Sequence, residues 1–152
     1  MNYTYEHRDI FTVDKDYVHA HCISSDFVMG GGIALLYTKK GIKQRLLNTY
    51  PQNVWNGHGY CLPIFTNNHV VCNLVTKEYV YHKPTYDTLR DSLIDLRDWM
   101  LRAYYSGRIP SLKLVMPLIG CGLDGLDWNK VEPMIKELFN DTDMDILICE
   151  WP

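Results

Sequence analysis

The chain has 152 residues, a formal net charge of −3, 47% apolar residues and 22% charged residues. That length supports one core without disulfide or metal staples, and the composition excludes a disordered chain. The acidic balance excludes a protein that holds duplex nucleic acid by broad phosphate neutralisation, but not a small phosphorylated ligand that needs only local donors.

In chain order, Tyr3–Glu6 reads as a short strand and Tyr17–Ile23 as a second. Gly32–Lys39 and Lys43–Asn48 read as helices, and Pro51 stops the second. Tyr60–Thr66 and Val70–Thr76 are apolar, β-branched runs separated by Asn67-Asn68, which predicts a hairpin. The clearest helix is Tyr86–Tyr105. Thr85 supplies its N-cap, Leu89, Leu93, Leu96 and Met100 recur at helical spacing, and Gly107 and Pro110 close it. Leu112–Pro117 reads as a buried strand. Asp127-Trp128-Asn129 opens a helix running from about Lys130 to Phe139, which places Pro133 in the first turn, where proline is tolerated. Met144–Glu150 reads as the last strand. This alternation predicts one α/β domain over residues 1–152, a largely parallel sheet with helices on both faces. In such sheets ligands bind outside the carboxyl ends of the strands.

Two glycine-bearing loops follow two of these strands: Ser24-Ser25-Asp26-Phe27-Val28-Met29-Gly30-Gly31-Gly32-Ile33-Ala34 and Pro117-Leu118-Ile119-Gly120-Cys121-Gly122-Leu123-Asp124-Gly125. Glycine permits positive φ and lets backbone N–H groups approach an anion with no Cβ in the way. A helix starting at Gly32 adds free N–H groups and a positive dipole end. One such loop alone is more often a plain turn than a site; two at one sheet edge can grip a pyrophosphate from both sides. Neither loop has the Gly-x-Gly-x-x-Gly spacing of a dinucleotide fold, and the chain has no Gly-x-x-x-x-Gly-Lys-Ser/Thr loop.

Asp124 lies beside the second loop and Lys77 at the end of the Val70–Thr76 strand. An isolated exposed lysine is usually a solvated charge, whereas one held beside a carboxylate and partly desolvated can attack an aldehyde-like sugar carbon. His19 and His21 share a strand face without a third ligand at supporting spacing, so no metal is expected. His82 precedes Lys83-Pro84-Thr85-Tyr86 and is placed at the entry to the long helix. Five scattered cysteines without a Cys-x-x-Cys pair read as reduced thiols, and the N-terminus lacks a signal-peptide pattern, so a cytoplasmic protein is expected.

Taken together, Ala20-His21-Cys22-Ile23-Ser24, Met29-Gly30-Gly31-Gly32-Ile33-Ala34, Val75-Thr76-Lys77, His82-Lys83-Pro84-Thr85-Tyr86 and Pro117-Leu118-Ile119-Gly120-Cys121-Gly122-Leu123-Asp124 resemble the macrodomain family. The likeness is to its branch of terminal ADP-ribose protein glycohydrolases and bacterial DNA-ADP-ribose glycohydrolases, and it spans nearly the whole chain. It implies a three-layer α/β/α sandwich with a mixed, largely parallel central sheet. It also implies that the ligand is ADP-ribose, with no cofactor. By this resemblance Asp9 receives the adenine amino group and Ile10 makes the adjoining backbone contact. Ser24 and Met29, Gly30, Gly31, Gly32, Ile33 and Ala34 form the first phosphate-side loop. Pro117, Ile119, Gly120, Cys121, Gly122 and Leu123 form the second loop, around the diphosphate and distal ribose, and Trp151 stacks on adenine. Lys77 and Asp124 match the catalytic pair. Two positions depart from the family pattern: Arg8 replaces a glycine before Asp9, and Gly31 replaces a frequent alanine.

The resemblance therefore implies hydrolysis of ADP-ribosyl linkages to protein acidic residues or DNA bases. From charge and the lack of a long apolar run, a protein that holds no stable duplex and binds no membrane is expected, and a monomer. Hydrolysis of small derivatives such as ADP-ribose-1''-phosphate or O-acetyl-ADP-ribose, and binding of ADP-ribose-type nucleotides without turnover, remain open alternatives.

Overall fold

A computed structural model of the chain describes residues 1–151. Ten regular elements follow one another: β1 (Asn2–His7), β2 (Tyr17–Ser24), α1 (Gly32–Lys39), α2 (Ile42–Thr49), β3 (Tyr60–Phe65), β4 (Val70–Lys77), α3 (Tyr86–Tyr105), β5 (Lys113–Met116), α4 (Trp128–Phe139) and β6 (Asp145–Glu150). A single 3-10 turn, Ile10–Thr12, was not foreseen from sequence. The six strands form one sheet in the order β1-β6-β5-β2-β4-β3. All pairings are parallel except β3 with β4, the predicted hairpin. The sheet is thus mixed and largely parallel, as the resemblance implied.

Alternation along the strands sends side chains to two cores. On one face Val18, Ala20, Leu74, Leu114, Met116, Ile146 and Ile148 meet Leu89, Leu93, Leu96 and Met100 of α3 and Val131, Ile135 and Phe139 of α4. On the other, Ile23, Ile64, Val71 and Val75 meet Tyr37 of α1 and Ile42 and Leu46 of α2. Three layers result. Pro63 is accommodated because β3 is an edge strand, where a missing N–H costs no ladder bond.

The caps explain why two helices run as the sequence predicts. Thr85 Oγ1 accepts from Thr88 N at 3.1 Å and Thr88 Oγ1 accepts from Thr85 N at 3.1 Å, a reciprocal box that starts α3. Asp127 accepts from Asn129 N at 2.9 Å and starts α4. That start, two residues earlier than expected, corrects the reading of Pro133. It lies in the second turn of α4, where its ring removes a donor to the Asn129 carbonyl. The cost is offset by burial of Val131, Ile135, Leu138 and Phe139 around it.

Candidate active site

The carboxyl ends of β2, β4, β5 and β6 open into one cleft of about 740 Å³. Its walls include Ser24 and Met29 to Ala34 from the loop after β2, and Pro117 to Asp124 from the loop after β5. Lys77, at the end of β4, also faces it, as do Ile10 and Trp151. The structure therefore brings together every residue that the resemblance assigned to the site except Asp9. That carboxylate does not line the cleft: it caps the Ile10–Thr12 turn by accepting from Phe11 N at 2.9 Å, and so presents its neighbour Ile10. Arg8 clamps the same turn, donating to Thr12 Oγ1 at 2.8 Å and to the Thr12 carbonyl at 3.0 Å.

The first glycine loop is held in a demanding conformation. Phe27 and Met29 adopt φ of 57° and 52°, the left-handed region that non-glycine residues avoid. Such residues cost about 1–3 kcal/mol each and persist only where packing fixes them. Here both side chains are buried in the core beneath α1 and α2. Asp26 ties the loop further, accepting from Val28 N at 3.2 Å, from Val80 N at 2.9 Å and from Ser24 Oγ. Burial alone would raise the Asp26 carboxyl; these hydrogen bonds outweigh it and hold the group below its ordinary value. Ser25 N donates to the Lys77 carbonyl at 3.0 Å, so the loop also grips the backbone that carries the lysine.

The second loop meets the first across the cleft. A Cβ at Gly31 or Gly32 would stand 3.4 and 3.3 Å from Leu123 Cδ1, so Leu123, itself 73% exposed, roofs the glycine run. Gly31 caps α1 with no side chain, which leaves the first N–H groups of that helix without a side-chain partner, beside the cleft.

Lys77 and Asp124 come together within these walls. A register irregularity between Ile23 and Ser24 makes Thr76 the extra residue of β4 and pairs Lys77 with Ser24. Bulges of this kind re-aim a side chain beside a site. Lys77 Nζ then lies 2.8 Å from Asp124 Oδ1, the two side chains being only 12% and 16% exposed. The thiols lining the cleft offer no competing nucleophile: burial pushes Cys121 and Cys149 up to about 11 and raises Cys22 further.

No family model matches this chain. Over 146 residues, 95% of the chain and 89% of the relative, it is 38% identical to ADP-ribose glycohydrolase OARD1 of Homo sapiens. The Bos taurus protein of the same name is 37% identical over the same coverage. The macrodomain of Mycobacterium tuberculosis DarG superposes with a TM-score of 0.73 at 22% identity, covering 99% of this chain and 97% of that one. The chain belongs to the macrodomain family, in the branch of the OARD1 glycohydrolases. A Thermosipho africanus DarTG structure in complex with ADP-ribose shares the fold at a TM-score of 0.71 and 18% identity, covering 99% of this chain and 42% of that one.

Several walls of this macrodomain's cleft escaped sequence reasoning: Cys22, Val80, Lys83, Cys149 and Glu150. Lys83 lay inside a quoted motif, but nothing local tells which way its ammonium turns. Asp26 was missed because its partner Val80 is 54 residues away. His82 stands three residues before the Thr85 cap of α3, its ring against Tyr79 and Tyr81 at 5.2 and 4.8 Å. His19 and His21 are buried under α1, where His19 Nδ1 meets Tyr37 Oη at 2.9 Å and His21 Nε2 meets Asn73 Oδ1 at 2.6 Å.

Proposed function

We propose that this macrodomain is an ADP-ribosyl glycohydrolase that releases ADP-ribose from protein carboxylates or DNA bases through Lys77 and Asp124. The observation that carries the reading is the nearly buried 2.8 Å contact of these two groups inside a cleft walled by two glycine loops. The 38% and 37% identities to two proteins named ADP-ribose glycohydrolase support the reaction class.

The chemistry follows from what a lysine and a carboxylate do in partial isolation from water. Asp124 takes a proton from the Lys77 ammonium across their contact, freeing the Nζ electron pair. Lys77 attacks the anomeric carbon of the distal ribose. The bond to the aglycone breaks, and its electron pair leaves with the carboxylate or base, which Asp124 can protonate. Opening of the ribose ring gives an imine on Lys77; water adds to it, the carbon–nitrogen bond breaks and ADP-ribose departs. Water, lysine and carboxylate balance the reaction, so the proposal calls for no cofactor. The glycine loops hold the diphosphate with backbone N–H groups, which fixes the sugar carbon near Lys77.

Borohydride added during turnover of an ADP-ribosylated carboxylate substrate is expected to trap an ADP-ribose adduct on Lys77, detectable by peptide mass. Lys77→Ala and Asp124→Ala are each expected to lower release at least a hundredfold while still binding ADP-ribose. Undiminished release by both variants would remove the proposed roles. Tight ADP-ribose binding with no release from protein, DNA or small ADP-ribose esters would instead identify a binding module.

A further inference from the structure

Three residues from the end of β4 to the start of α3 hold the stretch that leads from the second glycine loop into α4. Lys77 holds the Asp124 carboxylate at 2.8 Å, Tyr86 Oη accepts from Asp127 N at 3.0 Å, and Lys83 Nζ donates to the Leu123 carbonyl. Lys77 ends a strand and Tyr86 begins a helix, so both are carried by rigid elements. Lys83 stands between them, before Pro84, which is buried, and Thr85, which caps α3; the restricted backbone of a residue before proline fixes where its side chain starts. Lys83 lines the cleft, yet the partner of its ammonium is a carbonyl on an exposed loop rather than a carboxylate.

That carbonyl belongs to the residue whose side chain roofs Gly31 and Gly32, and whose peptide neighbour is Asp124. A chain of contacts thus runs from the β4–α3 segment through Leu123 to the glycine loop on the opposite wall. The loop is otherwise held by its own turns, with Cys121 N donating to the Leu118 carbonyl at 3.1 Å, Gly125 N to the Gly122 carbonyl at 3.1 Å and Leu126 N to the Gly120 carbonyl at 2.8 Å. None of these bonds takes the Leu123 carbonyl; Gly120 and Gly125 take positive φ, and Leu123 is largely in solvent.

We propose that Lys83 is a positioning residue, whose ammonium fixes the Leu123–Asp124 backbone and thereby sets the roof of the cleft and the Asp124 carboxylate. Its consequence for turnover rests on the glycohydrolase reading above; its consequence for the loop and for binding does not. A charge-assisted bond to a carbonyl suits the task, being directional and stronger than a neutral one.

The test compares wild type, Lys83→Met and Lys83→Arg. Amide hydrogen exchange of residues 120–125 in the unliganded protein is expected to quicken about tenfold in Lys83→Met, with core amides unchanged, and to stay within about threefold of wild type in Lys83→Arg. ADP-ribose affinity is expected to fall about tenfold in Lys83→Met and in Leu123→Ala, and no further in the double variant, because both act through the same roof. At saturating substrate, release is expected to slow about tenfold in Lys83→Met. Unchanged loop exchange together with a salt-dependent loss of affinity would make Lys83 a direct charge partner of the diphosphate and overturn the proposal. So would additive losses in the double variant. A wild type that binds ADP-ribose but releases none would remove the hydrolase reading, while exchange and affinity would still decide the role of Lys83.

Discussion

Gly120 and Gly122 stand two residues apart in one loop and are glycine for opposite reasons. Gly120 takes φ of 71°, and a Cβ there would meet Leu126 Cδ1 at 3.0 Å and Leu89 Cδ2 at 3.3 Å. A Cβ at Gly122 would meet nothing within 4 Å, and that position faces the cleft. Gly120→Ala is therefore expected to cost about 1–3 kcal/mol of stability, from strain and crowding together, measurable by chemical denaturation. Gly122→Ala is expected to leave stability within about 0.5 kcal/mol of wild type and still weaken ADP-ribose binding in calorimetry, because its methyl takes the space of the ligand. Loss of stability with retained affinity at Gly122 would place the diphosphate elsewhere. Asp9 divides in a similar way. Asp9→Asn keeps an oxygen for the Phe11 N–H and so the turn that presents Ile10, but it removes the charge. It is expected to melt like wild type and to bind ADP-ribose several-fold less tightly if the second carboxylate oxygen receives the adenine amino group.

Elements whose signals are local could be read from the chain, and those set by distant partners could not. Gly32–Lys39 and Tyr86–Tyr105 run from the predicted first to the predicted last residue, because a glycine break and the Thr85 cap are written beside them. The Ile10–Thr12 turn is only three residues long, held by an Asx bond from Asp9 and by the Arg8 side chain, and so carries no periodic pattern by which the sequence could show it. The bulge at Thr76 exists only through pairing of β4 with β2, and with it the placement of Lys77. The β2 strand also carries a consequence for pH. Burial under α1 pushes His19 to about 3, helped by His69, His21 and Lys40, and pushes His21 to about 4 against the opposing Asn73 hydrogen bond. Both are depressed below the ordinary 6.5, so the unfolded chain takes up these protons first as pH falls. Their contribution is complete above pH 6.5 and is lost between there and about pH 4 to 3. At pH 5 each histidine is expected to have cost about 2 kcal/mol relative to pH 7, an order-of-magnitude figure. Urea unfolding at the two pH values measures the sum, and the drop should shrink by about half in His21→Gln. A pH-independent stability would mean that these rings are solvated in the native state.

At the scale of the whole molecule, the strand order makes the site. The two glycine loops lie about 90 residues apart in sequence, and they face each other only because β5 lies next to β2 in the sheet. Sequence identified both loops and the Lys77–Asp124 pair, yet the order β1-β6-β5-β2-β4-β3 depends on packing between distant segments that no local pattern records. The same topology predicts what the ligand must span. On the proposed reading, adenine is placed by Ile10 and Trp151, the diphosphate between Gly30–Gly32 and Gly120–Gly122, and the distal ribose beside Lys77, all of which line the one cleft, so a full-length ligand would tie both loops to the native state. ADP-ribose at about 100 times its Kd is expected to stabilise the protein by about 2.7 kcal/mol, raising Tm by about 5–10 °C for a chain of this size. On that reading AMP, which carries the base and one phosphate, stops short of Asp124. At the same concentration it is expected to raise Tm by less than half as much, and to slow hydrogen exchange at residues 29–34 but not at 120–125. Equal protection of both loops by AMP would mean that the second loop closes without a distal ribose, and the division of the cleft between its two walls would have to be redrawn.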